Sequence, residues 1–446
     1  MFFPFIKYIS PTWYFNLEQS AAISYIVDYN QLSDDEKKLI DIDTGYSHEN
    51  ISLLDAAYQA FQKGIIKQGD EYALKKAESP AVADNYRFVK KYFHPFWAFY
   101  ILCIRIFSFK NPFTELGGFF RSMSVKRISM FEKTFQHTGF ENYKSPLLES
   151  QPFVSVIIPT LNRHKYLKDV LRDMENQTYK NFEVLVYDQS TPFNAAFYDN
   201  WNLDLKVVNQ KERALWLARN TAIENSKGEL VLLYDDDSLV ENDWIENHIK
   251  CLDYFKVDIS SGVSISVAGA KVPRHYSFFR WSDQVDTGNV MVKKDVFRKT
   301  GLFDRQFEKQ RQGDGEFGLR AYLAGFKNIS NPYSKRIHLK VSEGGLREMG
   351  SWDAFRPKEL FAPRPVPSVL YLTRKYFGNK AGILSIIKNV PPSVIPYRYK
   401  RNKYLFLYGI VFTIIVFPVI LFFVIKSWNR ASAMLRQGHK IAYLKN

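Results

Sequence analysis

Apolar and polar positions change rhythm along this chain, and the changes divide it. Over the first 150 residues the spacing is helical: Leu54, Ala57, Tyr58 and Phe61 fall on one face at i, i+3, i+4, i+7. Phe96 to Phe107 is apolar and aromatic but broken by Arg105, and it is too short to span a bilayer, so a buried or interfacial helix is expected there. Aromatic and basic residues interleave from Phe119 to Phe135, as on an anionic membrane surface or an ordinary packing face.

From Pro152 short apolar runs alternate with helical stripes. Val154 to Ile158 reads as a buried strand closed by Pro159. It is followed by a helix with Leu167, Val170, Leu171 and Met174 on one face. Strands are expected at Phe182–Tyr187 and Leu205–Val208, then a helix with Ala214, Leu217, Ala218, Thr221 and Ala222 on one side, then Leu230–Tyr234. This alternation predicts an α/β domain with right-handed crossovers and a mainly parallel sheet. Its polar candidates all follow strands: Thr160 and Asn162, then Asp188, then Asp235, Asp236 and Asp237. In a parallel sheet they share one edge, where ligands of open α/β sheets bind. Three successive carboxylates repel one another, and a divalent cation such as Mg²⁺ or Mn²⁺ relieves that repulsion. A solvated acidic turn or a helix cap is the alternative.

Late in the chain, Tyr404 to Ile425 contains no charged residue, and a helix of about 20 apolar residues crosses the hydrocarbon core. Bases lie on both sides, Arg398, Lys400, Arg401 and Lys403 before it and Lys426 and Arg430 after it, so its orientation is not fixed by charge. Residues 346–403 mix Arg364, Arg374, Lys375, Arg398 and Lys400 with Phe361, Tyr371, Tyr376 and Tyr397. That composition suits headgroup level or a lipid diphosphate. The expected organisation is a mostly helical region at 1–150, a catalytic domain at 151–345, a basic and aromatic membrane-proximal segment at 346–403, a transmembrane helix at 404–425 and a short basic tail at 426–446.

Composition adds two points. A net charge of +15 over 446 residues favours an anionic partner, whether lipid or phosphorylated substrate. No recognised nucleic-acid module accompanies the charge, so nucleic acid is not expected. Two cysteines, Cys103 and Cys251, in apolar surroundings read as small core residues of a reducing compartment. Met1 to Ser10 lacks a signal-peptide core, so no secretory signal is expected.

The segment Val154-Ser155-Val156-Ile157-Ile158-Pro159-Thr160-Leu161-Asn162-Arg163 resembles the opening of family 2 glycosyltransferases of the GT-A fold. Phe182 to Ser190 is similar to that family's second strand, and Ala218-Arg219-Asn220 with Gly228 to Asp237 resembles its central block with the D-x-D motif. Gly288 to Val292, Gly301 to Asp304 and Gly313 to Arg320 look like its acceptor half. The resemblance covers about residues 152–345 and implies a GT-A nucleotide-binding sheet with flanking helices. It also implies roles: Thr160 and Asp188 at the nucleobase, Arg219 at the nucleotide, Asn162 and Asp236 on the donor side. Asp235 then faces ribose or metal, Asp237 holds Mg²⁺ or Mn²⁺ against the diphosphate, and His338 resembles a further metal ligand of some relatives. Asp314 matches the general base of inverting members.

Several positions depart from the pattern. Gly313 stands where Glu usually precedes the base, Gln189 replaces an acid after Asp188, and Glu316 reads as a helix-start acid. No Gln-x-x-Arg-Trp follows Asp314, which argues against a processive polymerase; Arg280-Trp281 precedes it and lacks the glutamine. The expectation is a membrane-associated inverting transferase on the cytoplasmic face, moving one sugar from a nucleotide-diphosphate sugar to a glycan or lipid-linked acceptor in surface polysaccharide synthesis. One alternative is a non-catalytic assembly protein of this fold, against which the acids Asp188, Asp235, Asp237 and Asp314 speak. The other is a nucleotidyltransferase, whose triphosphate loop needs glycines that Pro159 to Arg163 lack.

Overall fold

The computed structural model describes residues 2–19, 21, 23–69, 79–266, 272, 274–282, 285–341, 343–346, 355, 361–395 and 403–444. The basic and aromatic residues Tyr397, Arg398, Lys400 and Arg401 lie outside them, as does much of 346–360. The chain divides into two compact units, Met1–Phe135 with Ser351–Gln437, and Gln136–Gly350 with Gly438–Asn446.

In chain order, four helices of ten or more residues precede the sheet among the described residues: α1 (Glu49–Gln62), α2 (Val82–Tyr92), α3 (Phe96–Phe107) and α4 (Pro112–Arg121). Then come β1 (Val154–Thr160), α5 (His164–Glu175), β2 (Phe182–Asp188), β3 (Leu205–Asn209), α6 (Leu215–Asn225), β4 (Leu230–Tyr234), β5 (Ser238–Val240) and α7 (Trp244–Tyr254). They are followed by β6 (Ile259–Ser266), β7 (Arg280–Trp281), β8 (Asn289–Lys293), α8 (Lys294–Thr300), α9 (Gly313–Leu323), β9 (Asn328–His338), α10 (Pro367–Val394) and α11 (Lys403–Gln437).

In the second unit the described residues form one nine-stranded sheet in the order β3-β2-β1-β4-β8-β6-β9-β5, with β7 on β9. From β3 to β4 all pairs are parallel, as the alternation predicts, and β1, β2 and β4 are buried along their whole length. Beyond β4 the pairing is mixed: β8 is antiparallel to β4 and β6, whereas β6 and β9 run parallel. Strand β1 runs two residues past its expected end. Pro159 lies beyond Ile157, the last residue paired with β4, so its missing N–H removes no ladder bond on that side.

Helix α6 differs from its expected stripe. Leu217 and Thr221 are only half-buried, while Arg219 and Asn220 face inward. Asn220 bridges to the Phe303 backbone through both amide atoms, at 2.9 Å each, so polar residues on this helix act as inward fasteners.

The first unit is helical with an aromatic core, in which the rings of Phe3 and Phe88 stack 4.0 Å apart. Within it the fully buried Asp55 accepts from Tyr46 Oη, Tyr92 Oη, Gln59 Nε2 and Lys91 Nζ. Helix α10 is kinked at Gly378, whose φ of +77° suits a residue without Cβ. Helix α11 packs Ile420 and Val424 against Val390 and Val394 of α10. It extends well past the expected end at 425, and Val411–Gln437 is long and apolar enough to cross a membrane. Both cysteines are free, with Cys251 buried and Cys103 half-buried.

Candidate active site

The site grows from the carboxyl ends of β1, β2 and β4. Strand β4 ends at Tyr234, and the next three residues present their carboxylates in three different settings. Asp235 is held by two buried arginines, accepting from Arg219 Nη2 and Arg336 Nη1 at 2.9 Å each. Asp236 is buried and accepts from Thr160 Oγ1 at 2.7 Å and Arg163 Nη1 at 3.0 Å. Burial raises its carboxyl to about 6; Arg163 opposes that rise and Asp237 adds to it. Asp237 pairs with Arg163 Nη1 at 3.2 Å and with His338 Nε2 at 3.3 Å.

His338 arrives by strand register. Antiparallel pairing of β5 with β9 sets it opposite Ser238, and Leu339 N donates to Asp237 O at 2.9 Å. Side chains alternate along a strand, so Arg336 lies on the same face of β9 as His338. Arg336 also donates to Ser238 and Ser264 hydroxyls and makes two bonds to Asp286. Burial alone would lower its guanidinium, yet Asp286 and Asp235 hold it above the ordinary arginine range. Gly288 makes this meeting possible. A Cβ on it would lie 2.1 Å from Arg336 Nη1 and 2.2 Å from Asp235 Oδ2.

At β2, Asp188 is buried and accepts from Ser190 N and Tyr198 Oη at 2.8 Å and from His164 Nε2 at 2.9 Å. Burial pushes its carboxyl up, but these hydrogen bonds outweigh it and hold Asp188 below the usual range. Asn162, at φ +54°, receives Thr191 N on its Oδ1 and donates its own N–H to Ser190 Oγ at 2.7 Å, which ties the β1 loop to the β2 loop. Gln189 Oε1 accepts from Ala214 N at 2.6 Å, and its buried Nε2 has no partner among the described residues.

Asp314 sits half-buried in the first turn of α9 and caps Gly315 N at 2.8 Å. Its surroundings explain the glycine before it, since a Cβ on Gly313 would lie 2.5 Å from the Trp216 ring. The Arg219 guanidinium in turn lies 5.3 Å from that ring's centroid, so Gly313, Trp216, Arg219 and Asp235 form one chain of contacts. Glu316 is buried and bonded to Arg320, as a structural acid.

Asp235, Asp237 and His338 each offer a ligand atom within 4.8 Å of the others. Two carboxylates and an imidazole fit a divalent cation of the Mg²⁺ or Mn²⁺ kind, and a carboxylate accepting from arginine keeps lone pairs to spare. The structure thus brings two bonded sets together, Asp235 with Arg219 and Arg336, and Thr160 with Asp236, Arg163, Asp237 and His338, and sets Asn162 and Asp188 at the adjacent strand end. Sequence reasoning gave no role to Arg163, Arg336, His164, Tyr198 or Asp286. A signal was present for two of them: Arg163 follows the β1 edge directly, and Arg336 stands two residues before His338.

Residues 155–313 match the model of the family described as Glycosyl transferase family 2. The Haloferax volcanii protein "Glycosyltransferase AglE" is 28% identical over 197 residues, 39% of this chain and 63% of that protein. A Methanococcus voltae dolichyl N-acetyl-alpha-D-glucosaminyl phosphate 3-beta-D-2,3-diacetamido-2,3-dideoxy-beta-D-glucuronosyltransferase is 24% identical over 207 residues, 40% of this chain and 64% of that protein. The matches therefore span somewhat under two thirds of these relatives. Among solved structures, S. aureus TarS 1-349 with UDP-GlcNAc overlaps at a TM-score of 0.42 and 18% identity, covering 64% of this chain and 92% of that one.

Proposed function

We propose that this protein is an inverting glycosyltransferase that moves one sugar from a nucleotide-diphosphate sugar to a glycan or lipid-linked acceptor in surface polysaccharide synthesis. The observation that carries the reading is the meeting of Asp235, Asp237 and His338 beside Thr160 and Arg219, inside a family 2 domain. In this reading Thr160, Asn162 and Asp188 hold the nucleoside, and Asp235, Asp237 and His338 hold Mg²⁺ or Mn²⁺. When bound, the cation supplies Lewis-acid neutralisation of charge on the departing nucleoside diphosphate. Arg163, Arg219 and Arg336 keep the acid cluster balanced before donor arrives, and their guanidinium N–H groups are suited to phosphate oxygens. Asp314 takes the acceptor hydroxyl proton as that oxygen attacks the anomeric carbon, and the nucleotide leaves from the opposite face.

Helix α11 supports membrane association, and we read it as spanning the bilayer with the catalytic domain on the cytoplasmic side, where nucleotide-sugars and free thiols coexist. The Methanococcus relative's name specifies a dolichyl phosphate-linked acceptor, and a lipid-linked acceptor here is consistent with that.

Transfer should appear with at least one of a panel of UDP- and GDP-sugars and a lipid-linked acceptor. Asp314→Asn should abolish transfer, by about 10³-fold or more, and leave donor affinity within a few-fold. Loss of donor binding in that variant would remove Asp314 from the base position.

A further inference from the structure

The first unit carries an apolar feature that the donor site does not use. Helices α3 and α4 form a hairpin whose inner residues Ala98, Ile101 and Leu102 pack against Tyr86 and Val89. Its outer side meets no partner among the described residues. Phe107, Phe109 and Phe113 at the turn are 82%, 98% and 85% exposed, and Phe96, Phe99 and Ile106 continue the stripe along α3. Three phenylalanines at one turn exceed the scattered apolar exposure of an ordinary surface. The turn also holds Phe109 at φ +55°, a left-handed conformation that bulky residues rarely adopt. Backbone strain of this kind persists where the surrounding structure imposes it, and here it aims an aromatic ring outward.

Charge says what covers this face. Residues 96–127 contain five bases, Arg105, Lys110, Arg121, Lys126 and Arg127, against one acid, Glu115. That acid is removed from the surface: Glu115 is buried, accepting from Arg105 Nη2 at 2.6 Å and Tyr86 Oη at 2.9 Å. With Arg105 paired to Glu115, the exposed face is aromatic and is flanked by the exposed bases Lys110, Arg121, Lys126 and Arg127. This is the pattern of a segment that seats its rings at the headgroup and acyl boundary of an anionic leaflet while its bases meet lipid phosphates. A soluble protein partner would be expected to meet acidic as well as basic side chains on the face, and the one acid of residues 96–127, Glu115, is buried.

We infer that the α3–α4 hairpin is a second membrane contact, monotopic and separate from α11: its Phe107–Phe109–Phe113 tip inserts into an anionic phospholipid leaflet. It does not rest on the donor-site reading. The two fail separately, because lipid insertion is read by depth and the transferase reading by nucleotide release.

The test uses the full chain reconstituted in phosphatidylcholine vesicles with and without phosphatidylglycerol. A nitroxide is placed at Phe109→Cys, at Phe113→Cys or at the exposed control Thr44→Cys, in a Cys103→Ser, Cys251→Ala background. Labels at positions 109 and 113 should be relaxed by oxygen and shielded from a water-soluble nickel chelate, more deeply with phosphatidylglycerol, while the label at 44 shows the reverse. Chelate access at 109 and 113 equal to that at 44 would overturn the proposal. So would shielding from both reagents with dipolar broadening before lipid is added, since that outcome assigns the face to a second copy of the chain.

Discussion

Arg336 shows how one side chain organises the acidic cluster. It is buried, bonded to Asp235, Asp286, Ser238 and Ser264, and reaches them only because Gly288 leaves the space. Gly288→Ala should therefore lower stability by about 1–3 kcal/mol through overpacking, and should weaken donor binding as Asp235 is displaced. Thermal unfolding and equilibrium binding check the two effects. An unchanged donor affinity would show that Asp235 is not held for the nucleotide. The acids of this cluster were legible in the sequence because they follow apolar strands, and strand ends of a parallel sheet share an edge. Their cationic partners were not: Arg163 and Arg336 are separated from Asp236 and Asp235 by long stretches of chain, and only strand register brings them together. The same holds for Trp216 against Gly313, the contact that explains why a glycine precedes Asp314.

At the scale of elements, Asn289 at the start of β8 ties several together. Its Oδ1 accepts from Trp244 Nε1 and His248 Nε2 of α7, and its Nδ2 donates to the Val263 and Ser334 carbonyls of β6 and β9. His248 is fully buried, with its other ring nitrogen on Ser260 Oγ, and burial lowers its pKa from 6.5 to about 4. The unfolded chain therefore binds more protons than the folded one between those values. Stability is intact above pH 6.5 and falls as pH drops towards about 4, by about 3 kcal/mol when fully expressed. Denaturant unfolding at pH 7 and pH 4.5 measures this. His248→Gln should flatten that part of the pH dependence, and an equally steep loss in the variant would assign it to other groups. The parallel half, β1 to β4, was legible from apolar runs and turn residues. The short β5 and β7, and the parallel β6–β9 pair across the chain reversal, were not, because two- and three-residue strands carry no readable period.

For the whole molecule, the chain divides into two compact units. The helical unit is built from residues 1–135 and 351–437, so its core joins segments that no local pattern relates. The Asp55 cluster is central to it. Asp55→Ala leaves Tyr46, Tyr92 and Lys91 without their shared acceptor and should cost about 3 kcal/mol, the low end for a broken buried ion pair, because Lys91 keeps Asp43 at 3.1 Å. Thermal unfolding of the full chain checks it. The apolar segment after residue 403 was plain from the sequence, but its continuation to Gln437 was not, since Lys426 and Arg430 interrupt the uncharged run within one helix. The proposed transfer depends on the acidic cluster holding a metal-bound donor. Its most direct measurement is nucleotide release from a panel of nucleotide-sugars by the purified full chain with Mn²⁺ or Mg²⁺, with chelator, and with Asp237→Ala. Release with at least one donor, lost on chelation and reduced about 10²- to 10³-fold in the variant, is the expected result. Release that persists unchanged in chelator and in Asp237→Ala would contradict it.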